Sequence, residues 1–267
     1  MSASGVNIRL SANLGFLWAD LPLMRRIEKA AEAGFKAIEL HWPFDTPAAD
    51  VRAACLAHDL TLLSVNTPQG DVASGDAGLA AQIGREAQFK SAFEMTLAWA
   101  REAGASKIHV LPGMASPNKS EAARRTFVAN LQWAADLAAR EGVTILLEAL
   151  NHRDKPGYFY HTQAESNSIR VETGRDNIKL MFDVYHVGVT EGDVLVKLEH
   201  YLPVIGHIQI AAVPSRREPD EGEIRYEAVF KRLQELGFSG WIGCEYKPRD
   251  NVEAGLAWVQ AMGLHLG

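Results

Sequence analysis

Thiol chemistry is almost missing from this chain of 267 residues, which carries two cysteines, Cys55 and Cys244. That excludes a disulfide framework or a cysteine-rich zinc site. Both thiols sit in apolar surroundings, so they are expected buried and reduced, in a cytosolic (cytoplasmic) setting. Long hydrophobic runs are also missing. Nothing approaches the ~20 apolar residues of a membrane helix, and the opening MSASGVNIRL has no signal-peptide core, so no membrane association is expected. Excess positive charge is absent too. Lys and Arg total 27 against 33 Asp and Glu, a formal net charge of −6, with the basic residues scattered, so no nucleic-acid face is expected. No Gly-x-Gly-x-x-Gly follows the first β run, and neither a Walker motif nor a Gly-x-Ser-x-Gly elbow occurs. Nucleotide binding and serine hydrolysis are therefore unsupported.

What is present is ordinary globular composition, 47% hydrophobic and 22% charged, arranged as short β-like runs alternating with longer helical ones. The β runs are Ile8–Asn13, Ala37–His41, Thr61–Asn66, Lys107–Leu111, Val143–Glu148, Ile178–Asp183, Ile205–Ile210 and Trp241–Glu245. Helices are expected over Leu21–Ala33, Pro47–His58, Arg85–Ala103, Ser120–Arg140, Gln163–Thr173, Val194–Leu202, Tyr226–Leu236 and Val252–Met262, with a glycine-rich loop from Thr67 to Ile83. The joints at 33–39, 103–109, 141–147 and 236–242 each carry glycine where a helix ends and a strand begins, a weak internal repeat. Eight such units fit one (β/α)8 TIM-barrel domain over residues 1–267; a doubly wound open sheet is the alternative. Loops after the strands are long and polar, and a barrel builds its active site from those loops.

The organising stretch is Val143 to Gly157, where an apolar strand stops on Glu148. An acid in that position is costly without a cation or proton beside it. The pattern recurs at Asp183, Gln209 and Glu245, so four oxygen-bearing side chains end four consecutive strands. A lone acid at a strand end is more often a cap or a salt-bridge partner. Four on one rim, all offering oxygen, suit a hard divalent cation, Mg²⁺ or Mn²⁺. Three carboxylates exceed one such cation by one charge. An anionic substrate would then need a further positive group, Arg216 or Arg217. His186 follows Asp183 by three and is expected to touch substrate. His41, Asn66 and His109 end other strands and are candidates for the pocket lining, with Trp42 as its wall. His207, deeper on its strand than Gln209, reads as structural. Glu148 and Glu245, flanking a carbon pair, could take and return a proton through a cis-enediolate, with a metal polarising the adjacent oxygens.

With these segments identified, the chain resembles the hydroxypyruvate isomerase family, which includes 2-oxo-tetronate isomerases, in the xylose-isomerase-like barrel superfamily. The resemblance covers nearly the whole chain. It is carried by Ser11-Ala-Asn-Leu14, Pro68-x-Gly-Asp71, Glu148-Ala-Leu-Asn-His152 with Pro156-Gly157, and Asp183-Val-Tyr-His186. It continues in Gly206-His-Ile-Gln-Ile-Ala211, Arg216 with Glu218-Pro219, Gly222-Glu-Ile-Arg-Tyr226 and Gly243-Cys-Glu-Tyr-Lys-Pro248. It implies acid/base glutamates at Glu148 and Glu245, and a metal on Glu148, Asp183, Gln209 and Glu245. Gln209 stands where related sugar epimerases usually carry histidine. It further implies interconversion of hydroxypyruvate and 2-hydroxy-3-oxopropanoate (tartronate semialdehyde), with Arg216 on the substrate carboxylate. His41-Trp42-Pro43-Phe44 departs from the Phe-Pro-Tyr expected of hydroxypyruvate enzymes and resembles the subgroup acting on four-carbon 2-oxo-tetronates; the loop Arg153-Asp154-Lys155 is more charged than expected.

A keto-sugar 3-epimerase on the same barrel is the main alternative, and it would favour a neutral pocket without Arg216. An endonuclease would need a His-rich site and a basic face. A two-glutamate glycosidase leaves Asp183 and Gln209 unexplained, and a catalytically dead binding barrel is the non-enzyme reading. The expected partner is a small hydroxy-oxo acid, and exposed helices leave room for a homo-oligomer.

Overall fold

Eight parallel strands close into a barrel in sequence order. The computed structural model describes residues 8–114 and 121–266. The N-terminal heptad read above for a signal peptide, and Ser120 at an expected helix start, lie outside those residues. The chain runs β1 (Arg9–Asn13), α1 (Leu23–Ala33), β2 (Ala37–Glu39), α2 (Ala48–Ala57), β3 (Thr61–Asn66), α3 (Glu86–Ala103), β4 (Lys107–His109) and α4 (Glu121–Arg140). It continues through β5 (Thr144–Glu148), α5 (Gln163–Thr173), β6 (Ile178–Asp183), α6 (Val184–Thr190), α7 (Val194–Tyr201), β7 (Ile205–Ile210), α8 (Tyr226–Glu235), β8 (Trp241–Cys244), α9 (Val252–Gly255) and α10 (Ala257–Ala261). β1 pairs with both β2 and β8, which rules out the open sheet.

Local chemistry accounts for the joints. The four repeat glycines all adopt positive φ, as at Gly34 (103°) and Gly104 (90°), a conformation that ends a helix at no side-chain cost. At its other end α5 begins with a capping box, in which Thr162 accepts from the Glu165 N–H and Glu165 reaches back to the backbone of Thr162.

Side chains alternate along each strand, so positions sharing a face with His109, Glu148, Asp183 and Gln209 point into the bore. Ile108, Leu147, Phe182 and Ile208 point outward to the helices. These outward residues are fully buried, and each contributes about 1.5–3 kcal/mol by leaving water. The mouth of the bore is polar, and the shell around it is apolar.

Four expectations need correction. β2 stops at Glu39 rather than His41, because its register on β3 shifts between Ile38 and Glu39. β4 stops at His109 rather than Leu111, since the Leu111 N–H is drawn off to the Thr67 hydroxyl (3.0 Å) and Pro112 has no N–H. A helix not expected at all, α6, starts directly after Asp183, whose side chain caps it by accepting from the Tyr185 N–H at 2.8 Å. The closing helix is two short pieces, α9 and α10, with Gly255 at the break packed where a Cβ would meet the buried Glu218.

Candidate active site

At the C-terminal mouth of the barrel lies a cavity of about 450 Å³. Every pocket residue expected from the sequence lines it except Asp183: His41, Trp42, Asn66, His109, Glu148, His186, Gln209, Arg216 and Glu245. Asp183 is buried just behind, within 4.8 Å of Glu148 and His186. Arg217 points to solvent, so of the two arginines Arg216 is the one at the site.

The two glutamates meet different surroundings. Glu148, the last residue of β5, is nearly sealed. Burial, and then the charges of Glu245 and Asp183, push its carboxyl well above the usual carboxylate range. Asp183 is pushed up to about 7 by burial and by Glu245, against the pull of Arg216 and of the Tyr185 and His186 backbone N–H groups. Glu245 instead accepts from three sides. Arg216 Nη2 donates to Oε1 at 2.8 Å, Asn13 Nδ2 donates to Oε2 at 2.8 Å, and the Gln209 amide donates to the same Oε2. A carboxylate, which is acceptor only, matches that arrangement.

Arg216 is built into place. Its guanidinium lies 4.7 Å from the Phe16 ring and 4.8 Å from the Tyr185 ring, and Nη1 reaches Asp154 at 3.1 Å. Burial works against its charge, but Glu245, Asp183, Glu148 and Asp154 outweigh it and hold its pKa up. His186 has a fixed tautomer. The Asn151 backbone N–H donates to its Nδ1 at 3.1 Å, and so does the Asn151 side-chain amide, oriented by the Asp154 N–H on Oδ1. Nδ1 is therefore an acceptor and the neutral ring carries its proton on Nε2. That atom sits 3.6 Å from Asp183 Oδ2 and 3.8 Å from Glu148 Oε1. Burial, then Arg216, holds His186 well below the usual histidine range and so neutral. Burial brings His109, 3.4 Å from Glu148 Oε2, down to about 3.

The donor set fits a hard cation. Glu148 Oε1, Asp183 Oδ2 and Gln209 Oε1 are buried acceptors with no hydrogen-bond partner among the described residues. Unpaired oxygens in such number are costly unless something positive lies among them. His186 belongs to the tight trio with Glu148 and Asp183, but its Nε2–H makes it a hydrogen-bond donor there rather than a lone-pair ligand.

Sequence reasoning missed Glu39, 1% exposed, which lies under the site in contact with Ser11, His207 and Gln209. The signal was available, since an acid inside the β run Ala37–His41 needs a partner as much as one at its end. Asn13 and Lys247 also line the cavity, as do Asp154 and Lys155 of the charged loop noted above, none of them having been read as a site residue. His207 sits 3.0 Å from Glu39, deeper than Gln209, consistent with the structural role expected of it.

Residues 27–262 match the family model described as xylose isomerase-like TIM barrel. The chain is 43% identical over 253 residues to the 2-oxo-tetronate isomerase of Cupriavidus necator, covering 94% of this chain and 97% of that protein. It is 35% identical over 253 residues to the hydroxypyruvate isomerase of Escherichia coli K12, covering 94% and 98%. Among solved structures, one titled AP endonuclease, family 2, from Brucella melitensis superposes with a TM-score of 0.92 at 37% identity, over 95% of this chain and 98% of that one.

Proposed function

The chain belongs to the xylose isomerase-like TIM-barrel family, and within it to the hydroxypyruvate isomerases and 2-oxo-tetronate isomerases, and on that premise we propose that it isomerises a small hydroxy-oxo acid through a cis-enediolate. One observation carries the mechanism: Glu148 and Glu245, three strands apart in the closed ring, line the same cavity, and Arg216 pairs with Glu245 there at 2.8 Å. The whole chain is taken as one barrel domain.

Glu148, Asp183, Gln209 and Glu245 would hold a divalent cation, with Mg²⁺ and Mn²⁺ matching four oxygen donors. When bound, it would polarise the substrate carbonyl and so acidify the neighbouring C–H. In hydroxypyruvate one glutamate removes a proton from C3 and the other delivers one to C2, while the hydroxyl proton passes from the C3 oxygen to the C2 oxygen. Atoms and charge balance without an oxidant. Arg216 binds the substrate carboxylate, exchanging it for Glu245, and this frees Glu245 to act as base. His186 donates a hydrogen bond from its Nε2–H to an oxygen of the enediolate and keeps its proton. His109, uncharged, packs against Glu148, and Asn66, His41 and Trp42 wall the remainder. Trp42, 42% exposed and fixed by its Nε1–H on the Thr67 carbonyl (3.0 Å), stands at the cavity rim in the segment that resembles the four-carbon subgroup. The proposed first substrate is therefore a four-carbon 2-oxo-tetronate, with hydroxypyruvate second.

Arg216 speaks against a neutral keto-sugar substrate, and a net charge of −6 speaks against DNA. The test is proton exchange followed by NMR in D₂O with Mn²⁺ or Mg²⁺, offering each acid separately. Deuterium should enter the carbon beside the carbonyl, and both Glu148→Gln and Glu245→Gln should abolish this. No exchange with either acid would refute the assignment.

A further inference from the structure

Glu39 is a buried carboxylate at the floor of the cavity whose two oxygens are both taken up by protein donors. It leaves β2 and reaches over β1 and β8 to β7. Ser11 Oγ donates to its Oε1 at 2.7 Å, His207 Nε2 stands 3.0 Å from the same oxygen, and Gln209 Nε2 donates to its Oε2 at 2.9 Å. The second hydrogen of that amide nitrogen goes to Glu245 Oε2. A primary amide can turn half a revolution and exchange its oxygen for its nitrogen. Here the turn is forbidden, because it would face an amide oxygen with two carboxylate oxygens. Gln209 Oε1, buried and unpartnered among the described residues, is thereby the atom left to a ligand.

Position 243 shows that the path of Glu39 is built in. Ser11 pairs with Gly243 across β1 and β8, and a Cβ on Gly243 would lie 2.1 Å from Glu39 Oε1 and 2.8 Å from its Cδ. Gly243 does not occupy the left-handed region, so the backbone does not demand glycine there. The demand comes from the carboxylate passing above it.

We infer that Glu39 is a positioning residue that sets the Gln209 amide so that its oxygen faces a cation, and that Gly243 is the notch through which it reaches. This rests on the reading of the site as a cation-holding isomerase centre. Residues supporting a metal ligand from behind typically matter by about 10–100-fold in metal affinity.

The experiment compares wild type, Glu39→Ala, Gly243→Ala and the double variant, each shown folded at 25 °C by circular dichroism. Metal-free protein is titrated calorimetrically with Mn²⁺, and ¹⁵N NMR follows hydrogen exchange of the Gln209 side-chain amide. Each single variant should bind Mn²⁺ about tenfold or more weakly, lose protection of the Gln209 amide, and lower kcat more than it changes KM. The double variant should be no weaker than Glu39→Ala alone, since truncating Glu39 empties the space the new methyl invades. Should Glu39→Ala fail to fold, Gly243→Ala carries the test alone. Unchanged Mn²⁺ affinity and amide protection in Gly243→Ala, losses that simply add in the double variant, or a wild type that takes up no Mn²⁺ would each overturn the inference. A wild type that binds Mn²⁺ normally but exchanges no substrate proton would refute the isomerase reading, while the metal and amide data would still decide the role of Glu39.

Discussion

Glu39 and Glu148 are both sealed from water, 1% and 5% exposed, yet burial has opposite outcomes for them. On the β2 side, burial pushes the Glu39 carboxyl up, but His207, Ser11 and Gln209 outweigh it and hold the group below the ordinary range. On the β5 and β6 side, Glu148 faces Glu245 and Asp183, keeps one oxygen bare, and is pushed well up. Burial sets how strongly a buried acid feels its neighbours, and the neighbours decide its state. The first side is finished as protein; the second needs something from outside.

The largest effect expected on this contrast is catalytic. Glu148→Gln and Glu245→Gln should each lower kcat roughly 10²–10⁴-fold, read as turnover with Mn²⁺ saturating. A variant retaining more than a tenth of the activity would remove that glutamate from proton transfer.

Acidity should separate the two sides next. A carboxyl raised on folding stabilises fully below its unfolded value and loses that contribution as pH climbs through its folded value. For Asp183 the window runs from the ordinary 3.8 to about 7, and Glu148 acts in the same sense. Metal-free protein should therefore melt at falling temperatures between about pH 4 and pH 7, by several degrees, and saturating Mg²⁺ should flatten that slope. Glu39 works with the opposite sign, its contribution present above 4.5 and lost on acidification through its lower folded value. A melting temperature that rises through neutrality in the absence of metal would contradict the arrangement.

Smaller still is the effect of one substitution made on both sides. In urea unfolding of metal-free protein at pH 8, Glu39→Gln should cost about 1–3 kcal/mol by leaving His207 and its neighbours without their anion. Glu148→Gln should leave stability unchanged or raise it by about 1 kcal/mol. Equal effects would erase the distinction. A loss at the low end of the Glu39→Gln range is expected of a pair away from both sides. Glu218 is fully buried and accepts from the backbone N–H and Nε of Arg249, the latter at 3.0 Å. Arg249→Ala removes a third-exposed partner while the backbone donor remains, so the loss should be about 1 kcal/mol in the same assay.

Much of this was legible in the sequence, for identifiable reasons. β3, α5, β6 and β7 fall where the patterns end, because apolar alternation, a capping box or an acid marks each boundary. The strand-end acids were legible because each follows an apolar run. Glu39 was not, since the β run was read through to His41 and placed the acid mid-strand, and its partners lie 28 and 170 positions away in the chain. α6 was hidden because no loop separates it from β6; the only mark of its start is Asp183, which serves as strand end and helix cap together. The tautomer of His186 is likewise set by a backbone N–H that no side-chain pattern announces.

That shared duty of Asp183 has a consequence for coordination number. Its Oδ1 is committed to the Tyr185 N–H, so only Oδ2 is free to bind a cation, and Gln209 likewise has a single oxygen to give. Two of the four proposed donors would thus offer one oxygen each. A large ion that gathers 6–8 oxygens through chelating carboxylates would find too few here, whereas a smaller ion content with six would be better served by this donor set.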